Sequence, residues 1–319
     1  MKFNLLTIIF SLTILQVQLN LRPEKRQELL DKLTTKISIT DIDQNFDKFN
    51  DFGEGSLKKI SYDINEIKSL MKQYDLPESY NYFNDTGAEI IVKNQESCGC
   101  CWSFASTSAL AYRFKKYGIN ISLSAQNPVS CYKGDCEGNY NIDAHLNLVK
   151  NGTVTEGCFP YKSSDGETIP ECPSQCEDGS EYKKYYSQNA YLANVNEEVF
   201  KEVVILAMDQ LVTQGPIMGS FNVYEDFDVF GTDHEKCKND VYTYDGKSAN
   251  TGGHAITIVG YGILKNKIYW LLQNSWGDNW CDNGFIKMEI GNFYGLTFSE
   301  PNIKPDIVNP YKYKLIFGI

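Results

Sequence analysis

Ten cysteines lie between residues 98 and 281 of this 319-residue chain, and none precedes Cys98. Three fall within four positions, in "NQESCGCCWSF" (94–104), directly ahead of an aromatic residue and a helix-like run. Such a cluster admits three readings: a metal site, part of a disulfide framework, or a reactive thiol with neighbours. The compartment in which the chain folds bears on all three.

The opening "MKFNLLTIIFSLTILQVQLN" has an early lysine, an apolar run from Leu5 to about Leu15 and a polar end. That order is a secretory signal peptide over 1–19. The apolar run is too short to be a comfortable membrane span, and no later segment is apolar enough to cross a bilayer. In an oxidising compartment most of the ten cysteines pair. Asn84, Asn120 and Asn151 each open an N-x-Ser/Thr sequon, which fits the same route. A net charge of −11 excludes nucleic acid as a partner, since no basic stripe offsets that field.

Residues 20–75 are charged, helix-prone and free of cysteine, as in "RPEKRQELLDKL" and "INEIKSLMKQYD". They read as a unit separate from the body at 76–319, with "DLPESY" (75–80) as the junction. No internal repeat or low-complexity tract interrupts the chain. In the body, "CWSFASTSALAYRFKKYG" (101–118) predicts a helix with Trp102, Ala105, Ala109 and Tyr112 on one face and Gly118 as the stop. Further helices are predicted near 142–152 and over 196–215, the latter capped by Asn196. The stretches 255–262, 267–276 and 284–291 are β-rich and broken by glycines. Helices first and strands later predict an α+β protein of two lobes with a cleft between them.

Cys101 stands at the predicted start of the first helix, where free N–H groups and the helix dipole favour a thiolate. Its base must be one of three histidines. His254, in "TGGHAITIVGYG", has glycines before it and an apolar strand after it, and Asn274 in "QNSWG" follows one strand later. An asparagine there can hold the imidazole in its reactive tautomer. His145 falls in the second helix as a core or surface residue, and His234 in a charged loop.

These residues carry a resemblance to the papain-like cysteine peptidases. "CGCCW" resembles the C-G-[SA]-C-[WY] signature, with His and Asn slightly beyond the roughly 130–150 residues downstream that go with it. The elements "NQESCGCCWSF", "GCFPY", "GGHAITIVGYG" and "NSWGDNWCDNGF" occur in the family's order over roughly 76–300. The resemblance implies a two-lobed fold, with a helical left lobe and a β-barrel-like right lobe. It implies Cys101 as nucleophile, His254 as general acid/base, Asn274 as orienting residue and Gln95 as oxyanion donor. Trp276 would shield the His–Asn bond, Gly138, Asn139 and Gly253 would meet substrate, and Ser299 would line a small apolar subsite. No cofactor is implied.

The cathepsin B branch is the nearer likeness, and by it the disulfides would be Cys98–Cys136, Cys131–Cys172 and Cys158–Cys176, with Cys237 and Cys281 left to pair. Cys98, Cys100 and Cys101 are too crowded for one tetrahedral ion, so no metal site is expected. Cys100 becomes a small packing residue. The same resemblance implies an inhibitory propeptide over 20–75, protein and peptide substrates, cystatin-like inhibitors, a monomer, and a lysosomal, acidic-vesicle or secreted location. The segment 158–176 lacks the histidine-bearing insertion of cathepsin B. Two departures stand near the cleft: Glu96 in place of a usual glycine, and "CEGN" (136–139), whose Asn139 replaces another and is expected to tolerate positive φ. A catalytically inactive binding homologue and a Cys-His acyl transferase such as a transglutaminase are the competing functions.

Overall fold

The structure is a computed structural model and describes residues 27–37, 59–132 and 135–303. The expected signal peptide lies outside the described residues. Strand β1 (Thr35–Ile37) follows helical residues 27–33. Next come α1 (Ile64–Gln73), β2 (Tyr80–Asn81), α2 (Tyr82–Thr86), α3 (Cys101–Lys115), α4 (Gln126–Cys131) and α5 (Asn141–Lys150). The second half holds β3 (Ser187–Asn194), α6 (Phe200–Thr213), β4 (Ile217–Tyr224), α7 (Glu225–Gly231) and α8 (His234–Asn239). It ends with β5 (Asn250–Leu264), β6 (Lys267–Gln273), β7 (Phe285–Glu289) and β8 (Phe293–Pro301). Helices therefore dominate the first half of the body and strands the second.

One antiparallel sheet runs in the order β1-β3-β8-β4-β5-β6-β7, with β2 on β5. The path is open, so the sheet does not close into a barrel. Its apolar face packs on α6, where Phe200, Val203, Leu206 and Met208 meet Ile256, Ile258, Trp270 and Phe298. Asn196 accepts from the N–H groups of Glu198 and Val199, so it caps a turn, and α6 begins four residues later at Phe200.

Helix α3 is not the one-faced helix of the periodicity argument. Trp102, Ser103, Phe104, Ser106, Thr107, Leu110, Arg113 and Phe114 are all buried, covering nearly every side. It is the central helix, packed on β5, β4 and β8 on one side and on α5 and α4 on the other. Its small polar residues suit that position because each finds a main-chain acceptor: Ser103 Oγ donates to the Ala125 carbonyl at 2.6 Å and Thr107 Oγ1 to that of Ser103 at 2.7 Å. The disulfides Cys98–Cys136, Cys131–Cys172 and Cys158–Cys176 tie the loops around this helix, and Cys237–Cys281 ties α8 to the turn before β7.

Among the described residues no helix is long and apolar enough to cross a membrane. Asn84 and Asn120 are exposed, whereas Asn151 is half-buried and its amide donates to Asn147 at 3.3 Å.

Candidate active site

Cys101 is the first residue of α3, so its sulfur lies at the helix N-terminus, where the Trp102 N–H meets it. His254 lies on β5, opposite Phe221 of β4, where the sheet meets the central helix. Asn274 follows the last residue of β6, and Asn274 N–H donates to the Gly284 carbonyl at 2.9 Å. The open sheet thus presents the imidazole and the amide from adjacent strands to the helix terminus.

His254 Nε2 is 2.9 Å from Asn274 Oδ1, and the same oxygen accepts from Ser275 N–H at 2.9 Å. An amide oxygen only accepts, so Nε2 carries a proton and the other ring nitrogen is left for the hydrogen bond with Cys101. Burial alone would raise the Cys101 thiol. The charge and hydrogen bond of His254, with the backbone N–H groups of Ala255 and Trp102, outweigh burial and hold it below its ordinary value. His254 is 6% exposed, and burial alone would lower it. Cys101, Asn274 and the Asp228 carboxylate instead raise it. The two shifts are opposite in sign, each group favouring the charged form of the other.

The neighbouring thiol is the opposite case. Burial pushes Cys100 up to about 12, and its sulfur lies 3.3 Å from Tyr161 Oη. That hydroxyl also donates to the Gln95 carbonyl at 2.7 Å, so Cys100 packs under the loop bearing Gln95. Gln95 is buried: its Nε2 donates to the Cys98 carbonyl at 2.8 Å, and its Oε1 accepts from Ser275 Oγ at 2.6 Å. These bonds fix the amide plane and leave its second N–H available. Trp276 lies against His254, the rings tilted by 38° with centroids 4.8 Å apart, and is backed by Trp280 and Phe227.

Ser299 is buried on β8 with its Oγ 3.0 Å from that of Ser187. Two expectations change. Positive φ falls on Gly138, at 105°, and not on Asn139, whose Oδ1 accepts from Tyr140 N–H. His234 opens α8 and bonds the Cys281 carbonyl rather than lying in a loop. Gly138 and Gly253 are exposed beside the site. His145 is fully buried, and burial followed by the Arg113 charge drives it down to about 3. It is a neutral core residue.

Sequence reasoning missed Ser275, Asp228 and Tyr294. Ser275 joins Gln95 to the Asn274 turn, Asp228 supports His254 from α7, and the Tyr294 ring lies near Gly253 and feels the Cys101 charge. No local pattern marks them, because each acts across the sheet or between lobes.

Glu96 has φ 50° and Cys281 has φ 52°, the left-handed region that favours glycine. At Cys281 the bridge to Cys237 holds the turn. At Glu96 the compensation is local, with Asn94 Oδ1 accepting its N–H at 3.1 Å and Asn94 Nδ2 donating to its carboxylate at 2.5 Å. Glu96→Gly is therefore expected to raise stability by roughly 0.5–1 kcal/mol, the strain relieved outweighing the entropy of glycine. Thermal unfolding checks this, and a lower midpoint in the variant contradicts it.

The model of the family described as papain family cysteine protease matches residues 76–302, and the chain belongs to that family. Its relatives are of the cathepsin B-like kind. It is 32% identical over 228 residues to the cathepsin B-like cysteine proteinase 4 of Caenorhabditis elegans, covering 63% of this chain and 65% of that one. It is 31% identical over 249 residues to cathepsin B-like cysteine proteinase 5 of the same organism, covering 68% and 70%. The chain thus spans about two thirds of the length of these curated relatives. A solved procathepsin B from Trypanosoma congolense shares the fold with a TM-score of 0.61, at 23% identity over 78% of this chain and 84% of that one. Among the described residues no group of His, Cys, Asp and Glu is arranged to hold a metal ion.

Proposed function

We propose that this chain is a cysteine endopeptidase that hydrolyses peptide bonds through Cys101, His254 and Asn274. It would be made as a latent precursor and act in an acidic vesicle, a lysosome or the secreted fluid. The observation that carries the reading is the arrangement of Cys101 at a helix N-terminus, hydrogen-bonded to His254, whose Nε2 lies 2.9 Å from Asn274 Oδ1. The Cys101 thiolate attacks the substrate carbonyl carbon, and the oxyanion is met by the free Gln95 N–H and the Cys101 N–H. His254 gives its Nδ1 proton to the leaving amine as the C–N bond breaks. It then takes a proton from the water that hydrolyses the thioester, and the thiolate is restored.

The pH profile follows from the two shifts. Activity is lost as pH falls through the lowered Cys101 value, below the ordinary thiol value of about 8.5, because the nucleophile is protonated. It is lost again as pH rises through the raised His254 value, above about 6.5, because the leaving group loses its proton donor. A kcat/KM profile that instead rises continuously to pH 9 contradicts the ion pair.

Endopeptidase rather than exopeptidase action is supported by 158–176. Lys162, its lone cation, is neutralised by Glu177 at 2.5 Å, so no free positive charge there receives a substrate carboxylate. An internally quenched peptide blocked at both ends should be cut as readily as one with a free C-terminus. Cleavage of the free form alone, two residues at a time, overturns this. Turnover without Ca²⁺ separates hydrolysis from a transglutaminase-like acyl transfer. Absence of turnover across a panel of fluorogenic peptides after acid treatment would leave the inactive binding homologue. Protein substrates, its own N-terminal segment and cystatin-like inhibitors are the proposed partners of a monomer.

A further inference from the structure

Residues 59–75 belong by sequence to the charged segment that precedes the body, yet they and Leu76, the body's first residue, are built into the main core. Ile67 is fully buried, and Ile60, Met71 and Leu76 are 5%, 3% and 8% exposed in the same cluster as Phe200, Val203, Ile268, Trp270 and Met288. The backbone comes equally close. Ile60 N–H donates to the Gly291 carbonyl at 3.1 Å, and a Cβ on Gly291 would lie 2.3 Å from the Ile60 carbonyl oxygen. Only glycine permits that approach.

The buried carboxylate of Glu289 depends on this segment. It is 6% exposed and is held by Lys59 at 2.7 Å, by Tyr62 Oη at 3.3 Å and by Thr243 Oγ1 at 2.7 Å. Without residues 59–76 it keeps only the threonine, leaving a buried charge with no cation. Tyr62 Oη also accepts from Ile268 N–H at 3.1 Å, and Lys201 pairs with Glu66 at 2.5 Å. These partners lie on α6, β6, β7 and the turn after β7, and Cys101, His254, Asn274 and Gln95 are not among them. Residues 27–37 also reach this core, through Leu29 and Leu30 at 5% exposure each, but their backbone is held only by a three-residue ladder on the edge of β3.

We propose that residues 59–76 are a permanent part of the matured enzyme, and that the cut ending latency falls ahead of Lys59 so that only the part carrying β1 leaves. This rests on the precursor reading above. A segment whose partners are core residues and not the reacting groups gains the enzyme nothing by departing.

The test is acid maturation of the full chain, followed by amino-terminal sequencing and peptide mass mapping of the active species. Residues 59–76 are expected in it. Ile67→Asp should lower the thermal midpoint of that species by about 5–10 °C, and Leu30→Asp should leave it within about 1 °C, because Leu30 has gone. Where Ile67→Asp does not accumulate, Ile67→Ala takes its place, and the wild-type sequencing needs no variant. An active species lacking 59–76, with all mature forms melting together, overturns the proposal. A precursor that is fully active at pH 7 and never shortens would instead sink the latency reading. Trypsin trimming of that native precursor still decides this one: a resistant core containing 59–76 supports it, and cleavage after Lys68 and Lys72 overturns it.

Discussion

Cys101→Ala is expected to lower kcat/KM for peptide hydrolysis by at least roughly 10⁴-fold and to abolish labelling by thiol-directed epoxides. The substitution removes the one described thiol whose environment favours the anion. Cys100→Ser should retain most activity, because burial holds Cys100 as a neutral thiol against Tyr161 and under the Gln95 loop. The comparison matters because the two residues are adjacent and both are free. Rate measurements with one fluorogenic peptide, and active-site titration to count folded sites, separate chemistry from folding. Equal losses in both variants would move the nucleophile assignment off Cys101.

Arg113→Ala should cost about 3–5 kcal/mol of stability, the largest loss expected from a residue outside the reacting groups. Arg113 is 1% exposed on the central helix. Its guanidinium donates to the Pro216 carbonyl at 2.7 Å, the Ser299 carbonyl at 3.2 Å, and the Gly215 carbonyl and Gln210 Oε1 at 3.3 Å. Burial brings it down to about 10, so it stays charged at neutral and acidic pH. Removing it strands buried acceptors on three elements and leaves a cavity over Phe298. Arg113→Lys keeps the charge but not the planar fork, and should lose a large part of the same stability. Thermal and denaturant unfolding measure it, and a loss below about 1 kcal/mol in the alanine variant would show that these bonds are replaceable by water.

The sequence by itself determined the order of the elements and the chemistry on offer. The strands β5, β6 and β7 were legible from apolar runs bounded by glycines, and the start of α3 from the switch of pattern at Cys101. Both signals are local. The papain-family motifs, each short and contiguous, carried the resemblance that named Cys101, His254 and Asn274, which the structure brings within hydrogen-bond reach. What the tertiary structure decided is everything that depends on non-neighbours. Helix α3 is buried on nearly all sides because Leu148 of α5 and the residues at Leu123–Ala125 cover Ser103, Leu110 and Phe114, which periodicity would have left wet. Ser299 turns inward because β8 sits between β3 and β4, and its register fixes which way each side chain points. Residues 59–75 read from composition as part of a separate charged, helix-prone segment, but Ile60, Ile67 and Met71, with Leu76 beside them, fill the sheet's core. Composition averages over a segment, whereas burial is decided residue by residue by what packs against it.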